Sequence, residues 1–151
     1  QWPLYPGTGA LGERGDVHAV GTTINIPVPP GATGEHYRAA WDDIIGPAAE
    51  AFAPTWLLIS AGFDGHRSDP ITDLGLSSAD LADLTIDALA LVPAGRRMVF
   101  LEGGYDLQAI VDSTHAVVAA LVGERVHVEK PTSDGPGAEA VEAAARVHRD
   151  E

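Results

Sequence analysis

Two apolar runs constrain this chain more than anything else in it. Residues 55–60, TWLLIS, and 97–101, RMVFL, are short and unbroken, and each is followed at once by a polar turn and then by a helical pattern. Continuous apolar runs of that length read as strands buried on both faces, the kind found in parallel sheets. A third run, 22–28 (TTINIPV), is β-branched and is stopped by Pro27, Pro29 and Pro30, so it too reads as a strand. Between them lie helical patterns. Thr33 can cap a helix starting near Gly34, with Tyr37, Trp41, Ile44 and Ile45 on one face; Gly46-Pro47 interrupts it, and Ala48, Ala49 and Phe52 resume it. Ser77-x-x-Asp80 is a capping-box start, and the helix behind it runs to about Leu91, with Leu81, Leu84 and Leu89 inward and Pro93 and Gly95 beyond its end. Residues 106–122 form the last clear helix, with Leu107, Ile110, Val111, Val117, Val118 and Leu121 as its apolar face and Gly123 as its stop. Strand–helix alternation with short connections predicts an α/β fold: right-handed crossovers and a parallel sheet covered by helices.

The flanks differ from this middle. Residues 1–21 carry glycines at 7, 9, 12, 15 and 21 and prolines at 3 and 6, too dense a punctuation for helix or strand. Residues 129–151 contain PTSDGPG at 131–137, a linker composition, and end as either a lone amphipathic helix or a frayed tail. The expected division is therefore 1–128 for the domain and 129–151 for linker and tail.

Charge and composition exclude several function classes. With 9 Lys+Arg against 22 Asp+Glu the net charge is −13, and Lys130 is the one lysine; a nucleic-acid or anionic-lipid surface needs clustered cations. The absence of cysteine removes disulfides and thiolate metal sites. There is no transmembrane-length apolar stretch and no signal-peptide pattern, so the expected compartment is cytoplasmic. The chain starts at Gln1 rather than methionine, which fits a processed or truncated amino terminus.

In open α/β sheets ligands bind beyond the carboxyl ends of the strands. Two loops fall there: 61–70, with Asp64, His66, Arg67 and Asp69, and 102–106, with Glu102, Tyr105 and Asp106. A carboxylate at Asp64 can ligate a divalent metal, act as a general base, or merely cap a turn. A tyrosine after Gly103-Gly104 can aim its hydroxyl at a developing oxyanion, or pack on the sheet edge with its hydroxyl in water. Two other spellings are poor matches. Tyr5-Pro6-Gly7-Thr8-Gly9 lacks the Lys-Ser/Thr of a phosphate loop, and Ser60, Asp64 and His66 lack a nucleophile elbow.

Taken together the loops are far more specific. YPGTG at 5–9, NIPVP at 25–29, LLISAGFDGHRSDP at 57–70 and LEGGYDL at 101–107 occur in this order. That set resembles the carboxyl-terminal portion of the histone deacetylase superfamily, closest to the class II-like branch with the acetylpolyamine amidohydrolases, from Tyr5 to about Gly123. The resemblance implies part of a three-layer, arginase-like parallel-sheet domain with helices on both faces, and a zinc-dependent amidohydrolase acting on acetyl-lysine or an acetylated polyamine. Asp64 matches a zinc ligand. Tyr105 matches the tyrosine that polarises the scissile carbonyl and stabilises the oxyanion, and Gly103 and Gly104 the glycines that position it. Tyr5 matches an aromatic wall of the acyl-lysine channel and Ile71 its apolar rim. His66 and Asp69 belong to the motif without a chemical step.

The family site also needs an adjacent histidine pair and an Asp-x-His segment upstream of YPGTG. No histidine pair occurs here. Asp16-Val17-His18 has the second spelling but follows YPGTG, so it reads as fortuitous. The expectation is a fragment inactive alone, whose remaining zinc ligands lie on sequence outside these residues or on a complementary chain. The alternative is a non-catalytic deacetylase-fold module that assembles with a partner chain. Oligomeric state stays open.

Overall fold

The computed structural model describes residues 1–4, 6–126 and 128–148. In chain order they form α1 (Gly34–Ala40), a π-helical turn (Trp41–Ile45), α2 (Gly46–Phe52), β1 (Leu57–Ala61), α3 (Ser78–Leu89), β2 (Arg97–Leu101), α4 (Leu107–Leu121) and α5 (Ala138–His148). The two strands pair in parallel from Leu57 opposite Arg97 to Ala61 opposite Leu101, with α3 as the crossover. None of the helices is long and apolar enough to cross a membrane among the described residues.

The interruption expected at Gly46-Pro47 takes the form of the π turn. Proline has no N–H and its ring collides with the carbonyl four residues back; a turn wound to i→i+5 places the mismatch there without ending the helix. Pro47 then sits in the first turn of α2, where no donor is needed. Helix α2 ends on Ala53, in the left-handed region at φ 52°, just before Pro54.

Helix α3 begins as expected. The Ser77 side chain accepts from the Asp80 N–H, and the Asp80 carboxylate accepts from the Ser77 N–H at 2.9 Å. Its other end is closed by the first residue of β2: the Arg97 guanidinium donates to the Val92 carbonyl at 2.7 Å and also to the Leu89 carbonyl. The cation thus meets unpaired carbonyls at the negative end of the helix.

Helices α3 and α4 lie against each other and over one face of the sheet. Ala61, Phe63 and Val117 form the buried centre, ringed by Ile59, Leu81, Val99 and Ile110. The opposite face is uncovered by the described residues: Leu58 is 62% exposed, and Met98 and Phe100 are exposed too. Burial on both faces, as the apolar runs imply, is therefore not reached within this chain; the alternation of side chains along each strand gives α3 and α4 one face only. A similar correction applies to α4. Its buried side consists of the small residues Ala109, Ser113, Ala116, Ala119 and Ala120 together with Val117, whereas Leu107, Val111 and Val118 are exposed. Apart from the polar stripe of Gln108, Asp112 and His115, the helix is apolar well beyond its buried side, so size decided the face: small side chains let α3 approach closely.

Residues 22–28 are not a strand. Pro27 within the segment, with Pro29 and Pro30 directly behind it, takes donors out of any ladder, and the segment serves as packing: Ile24 and Ile26 lie on the cluster of Ala40, Ile44, Val141, Ala144 and Ala145, and Val28 packs with Ala32 and Leu74. That first cluster joins α1 and the π turn to α5, so the chain after residue 128 is packed into the fold. Gly137, at φ +151°, lies where a Cβ would stand 2.6 Å from the His36 ring.

Candidate active site at the carboxyl ends of the strands

The parallel ladder runs on past both strands and joins the two suspect loops. Glu102 N–H donates to the Ala61 carbonyl at 3.1 Å, and Phe63 N–H donates to the Gly103 carbonyl at 2.7 Å. This brings Asp64 against Gly103. A Cβ on Gly103 would stand 3.1 Å from the Asp64 carboxylate, and one on Gly62 would stand 2.8 Å from it. Glycine is needed at both positions for this close approach. The Thr72 hydroxyl donates to the Asp64 carbonyl at 2.6 Å and fixes the backbone at that point. Gly104, at φ +142°, adopts a conformation that a side chain would strain, and Ile110 and Phe63 leave little room beside it.

Asp69 binds the second loop to the first. Its carboxylate is buried and accepts from Ile71 N–H at 3.0 Å, from Tyr105 N–H at 2.6 Å and from Asp106 N–H at 3.1 Å. Burial alone would push this carboxyl up, but the three backbone donors outweigh it and hold it below the ordinary value. Asp106 then caps α4, accepting from Ala109 N–H at 2.8 Å. Tyr105 is 60% exposed at the tip of this turn. Ile71 is exposed on the neighbouring loop. Tyr5 lies outside the described residues.

His66 does not face Asp64's role. It is buried, its Nε2 meets the Glu129 carboxylate at 2.8 Å, and its Nδ1 accepts from Ser68 N–H at 3.2 Å. The accepting Nδ1 leaves the proton on Nε2, aimed at Glu129. Arg67 also donates to Glu129, and so do the Ser78 N–H at 2.8 Å and the Ser78 hydroxyl at 3.0 Å. Burial opposes the charge on Glu129, yet these donors bring its carboxyl down to about 2.

Two residues have neighbours that the sequence does not signal. Tyr37, part of an apolar helical face by spacing, stands close enough to Asp64 to feel it: burial, then the Asp64 carboxylate, push its hydroxyl up to about 12. Asp80, legible only as a capping residue, is fully buried and also accepts from the Arg38 guanidinium at 2.7 Å and the Thr132 hydroxyl at 2.7 Å. Gly34 clears the way for it, since a Cβ there would lie 1.8 Å from the carboxylate. These contacts, like those of Glu129, span tens of residues, and no local pattern announces them.

Among the described residues no three histidine, aspartate or glutamate side chains converge to hold a metal. Asp16, Val17 and His18 lie on an exposed turn. A catalytic zinc takes three protein ligands and keeps a fourth position open, so these residues do not by themselves form such a site.

A parallel sheet whose strand-end loops present a carboxylate and a glycine-hinged tyrosine has the layout of an α/β enzyme. The model of the histone deacetylase domain family matches residues 1–121, and the chain belongs to that family. It is 41% identical over 127 residues to a probable deacetylase of Archaeoglobus fulgidus, covering 82% of this chain and 35% of that protein. It is 38% identical over 123 residues to the chloroplastic histone deacetylase 10 of Oryza sativa subsp. japonica, covering 80% and 28%. Among solved structures, the HDA15 HD domain superposes with a TM-score of 0.84 at 33% identity, covering 97% of this chain and 40% of that one. The chain thus spans about a third of the length of the curated relatives it matches.

Proposed function

We propose that this chain is the carboxyl-terminal portion of a zinc-dependent deacetylase that hydrolyses the acetamide of acetyl-lysine or an acetylated polyamine. The observation that carries the reading is the joining of the two loops. Asp69 and the extended ladder hold the Gly103-Gly104-Tyr105 turn against the loop of Asp64, at the end of the sheet where α/β enzymes bind ligands. In this reading the Tyr105 hydroxyl donates to the amide carbonyl oxygen as it gains negative charge. Such a donor stabilises the transition state more than the ground state. Asp64 is this chain's one contribution to the metal, and the zinc dependence requires further ligands from outside residues 1–151. Ile71, Gly103 and Gly104 border the channel for the acyl arm, and Tyr5 is assigned to it by its motif alone. The bare face of Leu58, Met98 and Phe100 supports a missing portion of the domain, or a complementary chain, as the partner.

The test uses the complete enzyme. Tyr105→Phe should lower kcat by roughly 10²–10³, the usual cost of one oxyanion donor, with metal content unchanged, while Asp64→Ala should lose the metal. Unchanged turnover in Tyr105→Phe would sink the oxyanion role. Hydrolysis of an acetyl-lysine reporter by the purified 151-residue chain would overturn its incompleteness.

A further inference from the structure

We propose that Glu129 is a positioning residue for Tyr105, an inference that rests on the function proposed above. Glu129 lies beyond residue 121, where the match to the family ends, yet its carboxylate meets the loop that carries Asp69. The connection is continuous. Glu129 receives the His66 Nε2 proton at 2.8 Å; His66 accepts the Asp69 N–H on its carbonyl at 2.8 Å; and Asp69 holds the Tyr105 N–H at 2.6 Å. Glu129 is in turn held by Ser78 at the first turn of α3, where the helix dipole favours a negative charge.

The geometry makes the carboxylate hard to replace. One oxygen takes three donors, from His66 and from the Ser78 N–H and hydroxyl, and the other takes Arg67. An amide offers a single accepting oxygen and must turn its NH₂ toward one set of donors. Glu129→Gln therefore leaves either the buried His66 N–H or Arg67 facing a donor. The His66 loop must shift, and the Asp69 carboxylate shifts with it.

The experiment compares Glu129→Gln, Glu129→Asp and Thr132→Val in the complete enzyme, with ¹⁵N spectra and steady-state kinetics on an acetyl-lysine peptide. Thr132 serves as the control because it belongs to the same segment but ties to Asp80 and not to the His66 loop. In Glu129→Gln the Tyr105 amide proton, which donates to a carboxylate, should move upfield, and kcat should fall about tenfold with KM within twofold. Glu129→Asp should recover part of both. Thr132→Val should lower Tm without moving the Tyr105 amide or kcat. An unmoved Tyr105 resonance in folded Glu129→Gln overturns the proposal, as does a loss of kcat in Thr132→Val equal to that in Glu129→Gln. The spectra keep the two claims separate: a wild-type protein without turnover refutes the deacetylase reading, while the Tyr105 shift still decides the role of Glu129.

Discussion

The loop end of the molecule and the sheet beneath it are built in opposite ways. At the loop end Asp69, Asp80 and Glu129 are each held by several donors drawn from distant segments. On the sheet, α3 and α4 cover one face and leave Leu58, Met98 and Phe100 exposed on the other. The site's geometry is thus fixed by polar ties internal to this chain, while the platform beneath it exposes apolar surface that these residues do not cover. Apolar side chains grouped on one exposed face, as these are, suit burial against another polypeptide.

The strongest way to break the closed region is Asp80→Ala. It takes the ionic partner from Arg38, whose guanidinium keeps only the Thr132 carbonyl, and removes the acceptor of both Thr132 donors and the Ser77 N–H. Each buried donor left without its acceptor costs about 1–3 kcal/mol. Urea unfolding should register that loss, and a loss below about 1 kcal/mol would mean the loop end is not where the stability lies. Gly34→Ala attacks the same carboxylate by volume, because the new methyl would lie 1.8 Å from it. Overpacking of this kind costs about 1–3 kcal/mol, and Asp80 has no free direction in which to retreat.

Acid sharpens the comparison. The folded-state pKa values of Asp69, Asp80 and Glu129 all lie below their ordinary values. For each, the stability is present above the unfolded pKa and is lost as pH falls through the folded one. For Glu129 the window runs from its ordinary 4.5 down to about 2. Tm should fall with acid in that window, and Glu129→Gln should make the fall shallower there. Identical Tm-against-pH curves for the two proteins would remove Glu129 from the account of acid stability.

What was legible in the sequence divides along the same line. Short-range signals were readable. They include the start of α3 at Ser77, β2 at 97–101 and the interruption at Gly46-Pro47. The loops at 61–70 and 102–106 do lie side by side, as their positions after two parallel strands require. Less was visible where a partner is remote in sequence. The spacing of the large side chains in α4 pointed to Leu107 and Val111, and packing chose the alanines instead. Residues 22–28 have β-branched composition but no ladder. Glu129 sits just ahead of a stretch of linker composition, and only the fold brings it 63 positions back to His66.

The smallest expected effect on the chain itself comes from the open face. Phe100→Lys places a charge where the side chain is already exposed, and exposed substitutions usually change stability by no more than about 0.5 kcal/mol. The melting of the purified chain should therefore hardly change. Its assembly with a co-expressed polypeptide supplying the rest of the domain should fail, because a lysine ammonium buried without a partner costs several kcal/mol. Val118→Lys on the exposed side of α4 asks whether that surface belongs to the same junction. If both variants co-purify with the complementary polypeptide as well as the unaltered chain does, the bare sheet face is ordinary surface. The contrast between a closed loop end and an open platform would then describe this chain's packing and not its incompleteness.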